Sequence, residues 1–261
     1  MVILALDTTT RAGSCALWQD GRLSVREGRP DVTHAQRLPG DLADLAAAHD
    51  VALRDVDRYA VASGPGSFTG LRVGIATIQA LALVHDRLVV PVPTLDALAQ
   101  AGARASAQTL IASWMEAYRG EVFAALYRVH RPDTRAGDAG AAADATGLVT
   151  LTPIAPAAVG APGVMAAEFR RLAGGEAVAF VGDAVDATRD DLVRVFGDGV
   201  ERHGPGPLAG VIAEMAAADP ARAVRPHAIV PEYVRRPDAE LARDRRTAEA
   251  ASAPRAPSNV S

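Results

Sequence analysis

One glycine-rich run constrains this chain more than any other part of it. Gly64-Pro65-Gly66-Ser67-Phe68-Thr69-Gly70-Leu71-Arg72-Val73-Gly74 follows Tyr59 to Ser63, an apolar stretch that reads as a buried strand. Gly64 to Gly66 supply a tight strand-to-helix turn, and Ser67 offers a side-chain oxygen to cap the helix that follows. Gly66, Gly70 and Gly74 recur every four residues and so share one stripe of that helix. Each interior glycine costs about 1 kcal/mol of helix propensity relative to alanine, so the stripe needs a close neighbour to offset it. That neighbour lies either within the fold or in a different chain. A second stripe, Leu71, Ile75, Ile78 and Ala82, has the spacing of an ordinary core face.

The order of elements around this helix sets the fold class. Residues 2–10 read as a buried strand ending in a polar turn, and residues 14–19 and 22–27 flank Asp20-Gly21, the signal for a type I′ hairpin. Thr33 with Gln36 three positions on is a capping-box pattern, opening a helix with Leu38, Leu42 and Leu45 on one face. Pro39 is expected to kink that helix. Leu88 to Val92 gives a further strand and residues 94–105 a further helix. From about residue 109 a similar opening recurs, with strands at Leu110–Met115, Glu121–Val129 and Ala177–Val181 and helices at 163–173, 187–196 and 207–218. The Ala/Gly-rich stretch 136–147 reads as a loop. The expectation is therefore an α/β chain of two similar mixed-sheet lobes, 1–105 and 106–238, followed by a disordered tail, 239–261.

Composition removes several chemistries. All 27 basic residues are arginine, so no lysine is present for a P-loop, a Schiff base or a kinase strand. The single cysteine, Cys15, excludes a disulfide framework and a thiolate zinc site and fits a reducing compartment. No basic lead-in precedes the first strand, and no apolar run reaches the roughly 18–20 residues a membrane helix needs, so a soluble, cytoplasmic protein is expected. A formal net charge of −4 argues against a surface that holds nucleic acid unaided.

The run GPGSFTGLRVG after a DTTT first strand resembles the TsaB family, also called YeaZ. The resemblance extends to Thr33-His34, to Ala117-Tyr118-Arg119-Gly120-Glu121-Val122-Phe123, to Val181-Gly182-Asp183 and to the segment 231–240. It implies the duplicated fold of actin, sugar kinases and heat-shock ATPases (ASKHA, ribonuclease H-like). It also implies a catalytically silent partner that binds the paralogue TsaD and, with the ATPase TsaE, supports threonylcarbamoyladenosine formation beside the tRNA anticodon. The family's contact with TsaD uses the first two helices, here about 33–48 and 67–85. Carried over, the contact residues are Leu38, Leu42, Thr69, Gly70, Val73 and Gly74. The same surface left free implies a homodimer in isolation.

Candidate chemistry of the chain's own is sparse. Asp7, Thr8 and Thr9 sit where this fold places a magnesium and phosphate contact, and two readings stand: a contact of that kind, or side chains that satisfy the turn. Asp183 is its counterpart in the second lobe, but Ala184 stands where phosphate turns prefer glycine. No cofactor is expected to bind tightly; ATP or ADP with Mg is a candidate only at an interface with TsaD. The histidines are scattered, with Leu38 four positions after His34 where a helical metal pair would need a second histidine, so no metal site is assigned. Ser67 lacks the glycine two positions on that a nucleophile elbow requires, and it reads as a cap. Glu116, Tyr118, Arg119 and Glu121 fit hairpin-turn chemistry, and Arg72 reads equally as an ion-pair partner or a solvated side chain. No residue is assigned a catalytic role. The competing reading is an independent small-molecule kinase or ATPase of the same fold.

Overall fold

The computed structural model describes residues 1–131 and 147–234. The tail at 239–261 and nearly all of the expected loop at 136–147 lie outside the described residues. The first half builds β1 (Val2–Asp7), β2 (Ser14–Gln19), β3 (Arg22–Glu27), α1 (His34–Ala47), β4 (Arg58–Gly64), α2 (Phe68–Val84), β5 (Leu88–Pro93) and α3 (Thr94–Ala105). The second half repeats the series as β6 (Leu110–Glu116), β7 (Val122–His130), β8 (Thr150–Gly160), α4 (Pro162–Ala173), β9 (Val178–Val181), α5 (Arg189–Phe196), β10 (Glu201–His203) and α6 (Ala209–Ala218).

Each half makes a five-stranded sheet of one topology, β3-β2-β1-β4-β5 and β10-β9-β6-β7-β8. In both, the first three strands pair antiparallel and the last two add in parallel. This is the duplicated actin-like α/β fold. Asp20 and Gly21 both take positive φ, 47° and 86°, as a type I′ hairpin requires.

Strand β1 shows why its sequence is apolar throughout. Leu4 and Leu6 face an outer core with Leu38, Leu42, Leu71 and Ile78, whereas Ile3 and Ala5 face an inner core. A strand covered on both faces loses the polar alternation of a half-exposed one. The inner core draws on both sheets at once, joining Ile3, Val90 and Val92 to Ile111, Met115 and Tyr127. Two helices fill this middle layer. The last helix of the second repeat, α6, packs on β1, β2 and β4 of the first sheet, and the buried Ser14 hydroxyl accepts its Ala209 N–H at 3.0 Å. Helix α3 packs on β6 and β9 of the second sheet, tied by the Ser113 hydroxyl to the Leu95 carbonyl at 2.6 Å.

Strand β8 was not expected from the sequence. It carries Pro153 and Pro156 and stands at the end of its sheet, the place where a strand tolerates proline because one of its sides has no ladder to complete.

Candidate functional site

The glycine-rich turn forms as its residue types require. The Ser67 hydroxyl accepts the Gly70 N–H at 3.3 Å, capping α2. The glycine stripe then closes on the turn after β1 of the same chain. A side chain at Gly66 would meet Thr9, one at Gly70 would overlap the Thr8 carbonyl, and one at Gly74 would overlap the Thr8 hydroxyl. The close neighbour that the stripe demands is therefore internal.

This divides the expected contact residues. Leu38 and Leu42 are 0% and 1% exposed in the outer core, and Gly70 and Gly74 are buried against Thr8, so these four present little surface to a partner. Thr69 is exposed and Val73 half-buried, and both remain at the surface. The outward face beside them is made of residues the sequence reading passed over. Along α1, the exposed residues Ala35, Pro39, Ala43 and Ala47 recur every four positions; along α2, Ala76, Ala80 and Leu83 continue from Thr69. Leu83 and Val84 are 62% and 78% exposed. The signal was legible, because small residues at helical spacing opposite a leucine stripe mark a face on which another helix can pack closely.

Asp7, Thr8 and Thr9 are buried. The Asp7 carboxylate accepts the Thr9 N–H at 2.9 Å and hydroxyl at 2.5 Å on one oxygen, and the Thr10 hydroxyl at 3.3 Å on the other. Burial raises its pKa above the usual aspartate range, against the pull of these hydrogen bonds. The turn's own donors thus supply the hydrogen bonds of the carboxylate, two on one oxygen and one longer bond on the other. The Thr8 hydroxyl, pressed on Gly74, has no hydrogen-bond partner.

Asp183 lies at the matching turn of the second repeat and accepts the Glu116 N–H at 2.8 Å. Its carboxylate is desolvated although the residue as a whole is exposed, and desolvation raises its pKa, with the negative charges of Glu116 and Asp7 adding to the effect.

His34 pins α1 to the first turn. A guanidinium can only donate, so the contact of Arg37 Nη2 with His34 Nδ1 at 2.9 Å makes Nδ1 the acceptor and leaves Nε2–H to donate to the Thr10 carbonyl at 3.2 Å. Burial, and then the Arg37 charge, lower the His34 pKa. Arg37 itself donates to the Ala12 carbonyl and pairs with Asp41 at 2.6 Å. Beyond this knot lies a cavity of about 370 Å³ lined by Thr10, Arg11, His34, Ser67, Val73 and, from the other repeat, Tyr118. Tyr118 and Arg119 take left-handed φ of 60° and 59° in the β6–β7 hairpin, which accounts for that motif as turn geometry. The Gln36 side chain accepts the Thr33 N–H at 3.3 Å, as the capping pattern predicts, and also the Thr33 hydroxyl at 2.7 Å. Among the described residues no group of three or more His, Cys, Asp or Glu is arranged to hold a metal ion. None of the described helices is long and apolar enough to cross a membrane.

Comparison with known proteins gives concordant matches. A family model described as "TsaD: tRNA N6-adenosine threonylcarbamoyltransferase" matches residues 31–242. The tRNA threonylcarbamoyladenosine biosynthesis protein TsaB of Escherichia coli (strain K12) is 38% identical over 128 residues, 49% of this chain and 55% of that protein. The match thus spans about half the length of that relative. An uncharacterized protein of Mycobacterium tuberculosis (strain H37Rv) is 32% identical over 242 residues, 91% of this chain and 93% of that one. Among solved structures, YeaZ from Pseudomonas aeruginosa superposes with a TM-score of 0.69 at 28% identity, covering 89% of this chain and 99% of that chain.

Proposed function

The chain belongs to the TsaD family and, within it, to the TsaB (YeaZ) proteins, and on that premise we propose that it is a noncatalytic partner in tRNA threonylcarbamoyladenosine formation. In this reading it binds TsaD through the outward face of α1 and α2, meets TsaE in the same assembly, and encounters tRNA only within the complex. ATP or ADP with Mg, where the reaction needs it, binds at the surface shared with TsaD. The same face supports a homodimer when TsaD is absent.

The observation that carries this reading is the outward face itself. Two neighbouring helices present Ala35, Pro39, Ala43 and Ala47 beside Thr69, Val73, Ala76 and Ala80, with the exposed Leu83 and Val84 at one end. Such small side chains let helices pack with axes about 8–10 Å apart. Leu38, Leu42, Leu71 and Ile78 fill the outer core beneath it, and of the face only Val73 packs partly against that core. The commitment of Asp7 to its turn supports the noncatalytic half of the reading.

Calorimetric titration of the purified chain with TsaD from the same organism tests it. Binding is expected, together with no ATP turnover by the chain alone. Failure to bind, or turnover by the isolated chain with ATP and Mg, would overturn it in favour of an independent kinase.

A further inference from the structure

After α6 the chain returns to the first sheet instead of leaving the fold. Val224 and Val89 exchange backbone hydrogen bonds at 2.8 and 3.0 Å, extending the sheet beyond β5. The Gln79 amide, from the flank of α2, donates to the Pro226 carbonyl at 2.8 Å. Ile229 is 6% exposed within the outer core. The Glu232 N–H donates to the Ser63 carbonyl at 2.7 Å, and its own carbonyl rests on Gly64, where an added Cβ would come within 2.5 Å of the oxygen.

The next residue reaches the start of α2. The Tyr233 ring lies 5.6 Å from that of Phe68, the first residue of the helix, and its hydroxyl accepts from Arg72 Nε at 3.3 Å. The Arg72 guanidinium stacks 4.1 Å from the Phe68 ring centre, closing a three-membered cluster. Arg72 is exposed, as one of the two sequence readings had it, and it also makes this aromatic contact.

We propose that Val224–Val234 is a strap whose end holds the first two turns of α2 in place, with Tyr233, Arg72 and Phe68 as positioning residues for the docking face. The reasoning is mechanical. The first turn of a helix has N–H groups without intrahelical partners and frays readily. Phe68 and Arg72 lie on the flank of α2 next to Thr69, Val73 and Ala76, so gripping that flank fixes where the outward residues point. Helix α1 also packs against α2. The strap thus adds a second restraint on the helix. The part of this inference that concerns partner binding rests on the docking reading above; the restraint on α2 does not.

Hydrogen exchange on the full chain separates the two. In Tyr233→Ala the amides of Leu71 to Ile75 should exchange at least about 10-fold faster, whereas those of Ile111 to Met115 in β6 keep their rates, marking a local opening. Tyr233→Phe keeps the ring on Phe68 and should stay within about threefold of the parent chain. Arg72→Gln, which leaves both rings, should also loosen α2. Unchanged exchange in α2 for both Tyr233→Ala and Arg72→Gln would overturn the strap, whatever the partner does. Faster exchange with undiminished affinity for TsaD would overturn the positioning role, and a parent chain that does not bind TsaD would overturn the docking reading while leaving the strap intact.

Discussion

The hydroxyl of Thr8 occupies the space that a side chain at position 74 would need, and Gly74 is glycine for that reason. The contact joins the turn after β1 to the middle of α2, so a residue type chosen in the helix answers to a strand far away in sequence.

Enlarging position 74 is accordingly expected to damage the fold, not an intermolecular surface. Gly74→Ala gains about 1 kcal/mol of helix propensity but must displace the Thr8 side chain, for a net loss of ~1–2 kcal/mol; Gly74→Leu should lose considerably more. Thr8→Val preserves the shape and removes a hydroxyl without a partner, so it should be neutral or stabilising by about 1 kcal/mol. Urea unfolding followed by circular dichroism measures all three. A Gly74→Leu chain as stable as its parent would contradict the internal contact.

The docking face is best probed at exposed positions that the core does not use. Ala43→Arg and Ala76→Arg each place a long charged side chain on the outward face and are expected to leave the unfolding midpoint nearly unchanged. Affinity for TsaD should fall at least about 10-fold, or ~1.4 kcal/mol, in each. Calorimetry that finds both variants binding like the parent would move the interface elsewhere.

Asp7→Asn tests whether the carboxylate serves only its turn. The native pKa is raised by burial above its ordinary 3.8, so the folded state holds the proton more tightly than the unfolded state. Stability is therefore expected to fall as pH rises from 3.8 through the raised native value, and then to level off. Asn should remove this contribution to the slope while still accepting from Thr9. In a reconstituted complex the variant should support modification at close to the parent rate. Loss of activity with the fold intact would restore a direct chemical role.

His34 gives the opposite sign. Its native pKa is held below the ordinary 6.5, so the unfolded chain binds the extra proton more readily, and stability is lost as pH falls from 6.5 through the native value. Protonation of Nδ1 would also set a positive ring against the Arg37 guanidinium. A pH series of melting temperatures for the parent and His34→Gln should differ in slope in this window. Parallel curves would show that the ring is not held neutral by this contact.

Local signals in the sequence were sufficient for much of the fold. The Ser67 cap, the Thr33–Gln36 pairing, the Asp20-Gly21 hairpin and the repeated order of strands and helices each depend on residues within a few positions of one another. Capping, turn and periodicity rules act over that range. Strand β8 escaped notice because its prolines are admissible only at a sheet edge, and edge position is not a local property.

What the sequence determined by itself was that α2 carries a stripe of missing side chains and that β1 is covered on both faces. Only the tertiary structure decided that Thr8 fills the stripe, that α6 from the other repeat covers the inner face of β1, and that Tyr233 returns to grip the start of α2. Spacing along a chain fixes which side chains share a face, because helix and strand geometry is periodic. The atoms that meet that face come from residues tens to hundreds of positions away, and no periodicity records their arrival.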